Sequence, residues 1–142
     1  MTIRPANRKD SKKIHEFICE LEKTKFNYDL FKKQYVSNLA DKDNIYLVAV
    51  NKTGHVIGYV GCHGQVLLHH ASKVFEIQEL FVEKEYRNKK VGQLLIEVLE
   101  KNLKNSNYHF LEVTTNRKRV NTLRFYNKCG FTKTHYKFTK TL

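Results

Sequence analysis

Residues 76–95, EIQELFVEKEYRNKKVGQLL, decide how the rest of the chain is read. Ile77, Leu80, Phe81 and Val82 form an apolar run with strand character. A charged turn carrying Arg87, Lys89 and Lys90 follows, and an amphipathic helix begins near Val91. At such a strand–loop–helix junction the unpaired N–H groups and the positive end of the helix dipole converge, which suits pyrophosphate. Two carboxylates, Glu76 and Glu79, lie just upstream on the strand. An anion cradle beside candidate bases points to group transfer from a phosphate-bearing cofactor.

Outward from this junction, Val74 to Val82 reads as the central strand, and the following helix turns Val91, Leu94, Leu95, Val98 and Leu99 inward. Asn105-Ser106-Asn107 ends that helix, and Tyr108 to Thr115 reads as another strand. A short helix from Val120 to Lys128 has Gly130 at its C′ position, and Phe131 to Phe138 reads as a closing strand. Upstream, Thr2 to Arg4 is a short strand broken by Pro5, and Asp10 or Ser11 caps a helix striped with Ile14, Phe17, Ile18 and Leu21. Tyr28, Phe31, Tyr35 and Leu39 mark a second helix. Ile45 to Val50 is an apolar strand, Asn51 to Gly54 a hairpin turn, and Val56 to His63 its returning partner. Val66 to Lys73 reads as a His-containing connection. The order β-α-α-β-β-β-α-β-α-β predicts an α/β fold, one domain over residues 1–142 with a mixed central sheet flanked by helices.

Composition narrows the partners. At 41% hydrophobic and 12% aromatic residues the chain is not of the disordered class. No apolar run approaches the ~18 residues of a membrane span, and no signal peptide opens the sequence. Cys19, Cys62 and Cys129 are odd in number and scattered, which argues against a disulfide framework or a zinc site and for a reducing cytoplasm. Lys and Arg number 26 against 14 Asp and Glu, a formal charge of +12. Such a field draws polyanions, nucleic acid and small polyphosphorylated cofactors alike. The excess is spread from Lys9 to Lys140, however, and a nucleic-acid-binding module leaves the cradle unexplained. Neither nucleic acid nor membrane is the expected partner.

Arg87-x-x-x-x-Gly92, after LFV and an acidic turn, resembles motif A of the Gcn5-related N-acetyltransferases, written (Q/R)-x-x-G-x-(G/A). Lys90 stands where the first glycine is usual, so that position must tolerate a Cβ. Phe125, Tyr126, Gly130 and Phe131 match a second motif of that family, N-x-x-A-x-x-(F/L)-Y-x-x-x-G-F, with Arg119 replacing its Asn and Thr122 its Ala. The order of elements is also similar, so the resemblance covers essentially the whole chain. It implies the acetyltransferase fold and acetyl-coenzyme A. The backbone of Leu80, Phe81 and Val82 would pair with the pantetheine arm. The loop residues Arg87, Asn88, Lys89, Lys90, Val91, Gly92 and Gln93 would hold the pyrophosphate. Asn116, Asn121 or Arg124 would replace the amide missing at 119, and Tyr126 would also meet the cofactor. Further stretches, ICELE, His63-x-Gln65-x-x-x-His69-His70, EIQEL, TNRKR, RFY and the terminal FTKTL, look like the aminoalkylphosphonate N-acetyltransferases associated with bacterial phosphonate use. That resemblance implies a small amine bearing a phosphonate as acceptor and, in some members, a divalent metal.

Acetyl transfer to an amine sets a defined chemical problem. With a pKa of ~10.4 the amine is protonated at pH 7, and freeing it costs roughly 4–5 kcal/mol. The site therefore needs a base, a donor to the carbonyl oxygen and an acid for the departing thiolate. Glu79, among Ile77, Leu80 and Phe81, is the first candidate base, directly or through a water, since desolvation there raises its pKa. The alternative is a glutamate on the outer face of an alternating strand. Glu76 points to the opposite face of an ideal strand and shares a site with Glu79 only if a bulge intervenes. Tyr126 is the candidate acid, as its place in the motif implies; the alternative is a core tyrosine. His63, Gln65, Gln78 and Thr115 are the candidates for acceptor contacts. His63, Gln65, His69, His70 and Glu76 include metal-binding side-chain types, but their spacing names no metal. Lys32, Lys33, Arg119 and Arg124 are expected to flank the acceptor channel, where a polyamine, the competing acceptor, would meet repulsion. The expectation is a cytoplasmic enzyme for a small-molecule amine, with a homodimer left open.

Overall fold

Strand β2 (Asn44–Val50) turns Leu47 and Ala49 to one face and Tyr46, Val48 and Val50 to the other, and all five side chains are buried. A strand buried on both faces needs helices on both sides of its sheet. The computed structural model, which describes residues 1–142, supplies them. Helices α1 (Ser11–Glu22) and α2 (Tyr28–Ala40) cover one face, bringing Ile14, Phe17 and Tyr35 against Tyr46, Val48, Tyr59 and Phe81. Helices α3 (Val91–Asn105) and α4 (Val120–Lys128) cover the other, with Leu95, Ile96, Leu99 and Tyr126 packed on Leu47, Val60, Cys62 and Ile77. No helix is long and apolar enough to cross a membrane.

The sheet runs in the order β1-β2-β3-β4-β5, where β1 is Thr2–Pro5, β3 Val56–Leu67, β4 Ser72–Val82 and β5 Leu111–Val113. Neighbours are antiparallel except β4 and β5, which are parallel and joined through α3. The mixed sheet flanked by helices is therefore as the sequence predicts. Details differ. The Val66 to Lys73 connection is instead the end of a long β3–β4 hairpin, closed by a 3-10 turn at Leu68–His70. Asn7 accepts from Lys9 N–H ahead of α1, while Asp10 makes no side-chain cap of its own. Its buried carboxylate accepts from Asn7 N–H and from both Nη atoms of Arg4 at 2.7 and 2.9 Å.

The strand expected from Tyr108 to Thr115 is only three residues long, and the one from Phe131 to Phe138 does not form. Phe131 falls on the opposite side of an extended chain from Tyr136 and Phe138, so the tail offers no single apolar face. Phe131 alone packs on the core, and Tyr136 and Phe138 stay exposed.

One irregularity shapes everything at the centre. In the β3–β4 ladder Gly61 pairs with Glu79 and Cys62 with Ile77, so Gln78 is an extra residue on β4. A bulge of this kind bends its strand and shifts the face of every later side chain. Because β3 is regular here, Glu76 opposite His63 and Glu79 opposite Gly61 lie on the same face, that of α1 and α2. The parallel pairing of β4 with β5 stops at Ile77–Val113, immediately before the bulge.

Candidate active site

Beyond Ile77 the two parallel strands part and a cleft of about 1540 Å³ opens between them. Gln78 to Val82 form one wall, Val113 to Asn116 the other, and the loop before α3 and the start of α4 close its ends. The free edge of β4 therefore presents unpaired backbone groups to the cleft, as an extended ligand requires.

The anion cradle lies at the mouth. The amides of Asn88, Lys89 and Lys90 and of the first three residues of α3 have no backbone acceptor, and the first helical bond runs from Leu94 N–H to Lys90 O. Asn88 and Lys90 both adopt the left-handed conformation, with φ of 60° and 63°. Alternating left-handed residues turn successive amides toward one concavity, the arrangement that binds anions. The left-handed φ at 90 is the physical reason a glycine suits that position, and Lys90 carries a strain of about 1 kcal/mol there. Gly92 also serves packing. A Cβ on it would stand 3.1 Å from Phe125 Cζ, so the ring would have to give way by a few tenths of an ångström for α3 and α4 to stay this close. Arg87 is not a free cation: its Nε donates to Val82 O at 2.9 Å, and its guanidinium lies over the Phe81 ring.

Glu79 lines the cleft, half-buried against Tyr59 and the backbone of Gly61. Gly61 makes room for it, because a Cβ there would sit 2.7 Å from Glu79 Oε2 and closer still to the Tyr59 hydroxyl. Burial, with a smaller push from the Glu22 charge, raises the Glu79 carboxyl from its ordinary 4.5 to about 7. Tyr126 also lines the cleft, wedged edge-on between Phe125 and Phe131. Burial pushes its hydroxyl up to about 12, so it keeps its proton at any working pH. On the opposite wall Thr115 Oγ1 is buried without a hydrogen-bond partner, a cost of about 1–3 kcal/mol that a ligand in the cleft would relieve.

Most of the residues singled out from the sequence meet at this one cleft. Leu80, Phe81, Val82, Arg87, Asn88, Lys90, Val91, Gly92 and Gln93 line it, as do Asn116, Asn121, Arg124, Gln78 and Thr115. Lys89 does not; its ammonium lies over the Tyr86 ring. Glu76 shares the face of Glu79 but stands outside the lining and accepts from Thr114 Oγ1 at 3.2 Å. His63 and Gln65 are likewise outside, with His63 Nε2 2.7 Å from the Tyr46 hydroxyl. His69 and His70 sit at the far tip of the hairpin, and no three His, Cys, Asp or Glu side chains converge as a metal site. The donor set suggested around His63 thus does not fit a metal ion. Lys32 and Lys33 are exposed on α2 and take no part in the cleft.

The end of α1 was not foreseen. Glu20, Leu21, Glu22 and Lys23 form one rim, and two ion pairs tie it to the walls. Arg87 Nη2 lies 3.7 Å from Glu20 Oε1, and Arg119 Nη2 lies 3.9 Å from Glu22 Oε1 and 3.2 Å from Leu21 O. Their sequence separation, 98 residues between Leu21 and Arg119, leaves no signal in a linear reading.

Residues 12–131 match the model of the acetyltransferase (GNAT) family. The chain belongs to that family. An aminoalkylphosphonate N-acetyltransferase of Salmonella typhimurium is 35% identical over 140 residues, covering 99% of this chain and 90% of that protein. Among solved structures, one described as a transcriptional regulator from Bacillus halodurans superposes with a TM-score of 0.88 at 20% identity, covering 99% of both chains. The aminoglycoside 6'-N-acetyltransferase AAC(6')-Ih of Acinetobacter baumannii gives 0.85 at 16% identity, covering 99% of this chain and 98% of its own. At such identities these two speak to the fold alone. The protein is an acetyl-coenzyme A-dependent acetyltransferase, and the unpaired amides, the open β4 edge and the orphaned Thr115 hydroxyl all fit that ligand.

Gly92 offers a direct check of the cradle. Gly92→Val drives a side chain into Phe125 and displaces the first turn of α3 from α4, an overpacking that costs about 1–3 kcal/mol. The expected outcome is a rise of about tenfold or more in the KM for acetyl-coenzyme A, with a lower melting temperature. An unchanged KM would place the cofactor elsewhere.

Proposed function

We propose that this acetyltransferase moves the acetyl group of acetyl-coenzyme A to the primary amine of a small aminoalkylphosphonate. The observation that carries this reading is the mixed charge of the cleft, where the half-buried carboxylate of Glu79 shares one space with Arg119 and Arg124. Such a site suits a ligand with an ammonium at one end and a dianion at the other. The Salmonella typhimurium relative, matched over nearly the whole chain, supports the same acceptor class.

Acetyl-coenzyme A supplies the thioester. The amides from Asn88 to Gln93 hold its pyrophosphate, and the backbone of Leu80 to Val82 orients its extended arm. Glu79, at about 7, takes the ammonium proton. Relative to a carboxylate at 4.5, this shift removes about 3 kcal/mol from an uphill transfer. Tyr126 directs its hydroxyl hydrogen toward the departing sulfur. Its proton is held more tightly than that of an ordinary thiol at ~8.5, so the transfer depends on the same apolar wall desolvating the thiolate. Glu76 is a reserve carboxylate on the same face, held by Thr114. No step needs a metal ligand from this chain. Three free cysteines and the use of acetyl-coenzyme A support a cytoplasmic enzyme.

A polyamine acceptor would draw on Glu20 and Glu22 at the rim, but both are already matched to arginines. Six cationic side chains line the cleft against three carboxylates, which leaves a second ammonium without a partner.

Two expected outcomes follow from these roles. Only the ionised form of Glu79 accepts a proton, so kcat/KM should rise with pH, pass half its plateau near pH 7 and be flat about one unit above it. Glu79→Gln should lose about 10²–10⁴-fold in turnover, and its residual activity should keep rising toward the pKa of the free amine. A parent profile that also rises to pH 10 would mean that the enzyme binds amines already neutral. Second, kcat/KM for aminomethyl- or 2-aminoethylphosphonate should exceed that for spermidine by at least about tenfold, with or without chelator. Equal efficiency on spermidine would set the acceptor assignment aside.

A further inference from the structure

Helix α1 ends against the dipole rule. Its C-terminus carries no basic residue in the last turn and instead holds Glu20 and Glu22, next to carbonyls that already bear negative charge. Each glutamate so placed is unfavourable there and creates a demand for a cation. Lys23 N–H satisfies the carbonyls of Cys19 and Glu20, and Thr24 Oγ1 donates to that of Glu22. The Leu21 carbonyl is left to Arg119, whose guanidinium also reaches Glu22 at 3.9 Å. This pair is loose. Both side chains are two-fifths to one-half exposed, and pairs of this kind contribute little to stability. Glu22, Arg119 and Glu79 all line the same cleft, and the Glu22 charge is felt at the Glu79 carboxyl. A negatively charged helix end, a weakly held arginine and the candidate base therefore surround the place where the acceptor must enter.

We propose that Glu22 and Arg119 are an exchangeable ion pair that reads both ends of a zwitterionic acceptor. This inference rests on the aminoalkylphosphonate reading above. Arg119 turns its planar fork from Glu22 to the phosphonate, where two parallel N–H···O bonds are available. Glu22, released, meets the ammonium together with the carbonyl end of α1 and hands it to Glu79. One weak pair is exchanged for two pairs inside a partly desolvated cleft, so only a ligand with both charges gains from the exchange. A simple alkylamine leaves Arg119 on Glu22. The replacement of the motif's asparagine by Arg119 thereby acquires a function in acceptor choice, whereas Arg87, bound to Val82 O, keeps its place on the cofactor side.

The test compares 2-aminoethylphosphonate with propylamine for the parent, Glu22→Gln, Arg119→Gln and Arg119→Lys, using the full chain with melting curves as a fold control. Arg119→Gln should raise KM for the phosphonate by about tenfold or more, and leave KM for propylamine and for acetyl-coenzyme A within about twofold. Arg119→Lys should recover part of the loss. Glu22→Gln should raise KM for the phosphonate by about three- to tenfold with little change in kcat, and leave KM for propylamine within about twofold. Equal losses on both acceptors in Arg119→Gln, a rise confined to acetyl-coenzyme A, or an indifferent Glu22→Gln would each overturn the exchange while leaving the phosphonate reading intact. A parent enzyme that acetylates propylamine but not 2-aminoethylphosphonate would overturn both.

Discussion

A single extra residue in the central strand sets the geometry of the whole site. Gln78 has no partner on β3, and from that point β4 changes phase and leaves β5. Three consequences follow together. The side chain of Glu79 comes to the α1–α2 face, next to Tyr59 and above Gly61. The β4 edge loses its parallel neighbour and opens the cleft. The chain then reaches the turn that delivers six unpaired amides at the start of α3. A regular strand would have kept the ladder closed and left Glu76 and Glu79 on opposite faces.

Electrostatics within this frame act in two regimes. Deep in the cleft, burial dominates: it lifts the Glu79 carboxyl to about 7 and the Tyr126 hydroxyl to about 12, leaving an accessible base and a firmly protonated donor. At the rim, exposed pairs between α1 and the arginines are weak enough to be rearranged by a charged ligand. The formal charge of +12 guides anions toward the molecule, but the fixed chemistry lies with a few of those cations. Lys32, Lys33 and Lys89 contribute to the field and not to the cleft.

What could be read from sequence alone depended on how local the signal was. The strand–loop–helix junction, the α4 helix from Val120 to Lys128 and the apolar strand from Ile45 to Val50 rest on short-range patterns, and the structure has each of them. The bulge was legible only as a condition for Glu76 and Glu79 to share a face, because alternation cannot reveal which residue lacks a cross-strand partner. The closing strand failed for a related reason: its apolar residues lie on opposite sides of an extended chain. His63 pairs with Tyr46 across the sheet, and Arg119 reaches Leu21 from the other end of the chain. Contacts of that kind have no periodic signature.

The most direct measurement is made on a chain lacking Gln78. Every pairing on either side of the bulge, Cys62 with Ile77 and Gly61 with Glu79, is kept in that variant, so it should fold. With the bulge gone, β4 continues alongside β5 and the cleft closes. Calorimetric titration with coenzyme A should then show binding weakened by at least about tenfold, or ~1.4 kcal/mol, at a melting temperature near that of the parent. Coenzyme A affinity equal to the parent's in a folded variant, or a variant that cannot fold, would contradict the account.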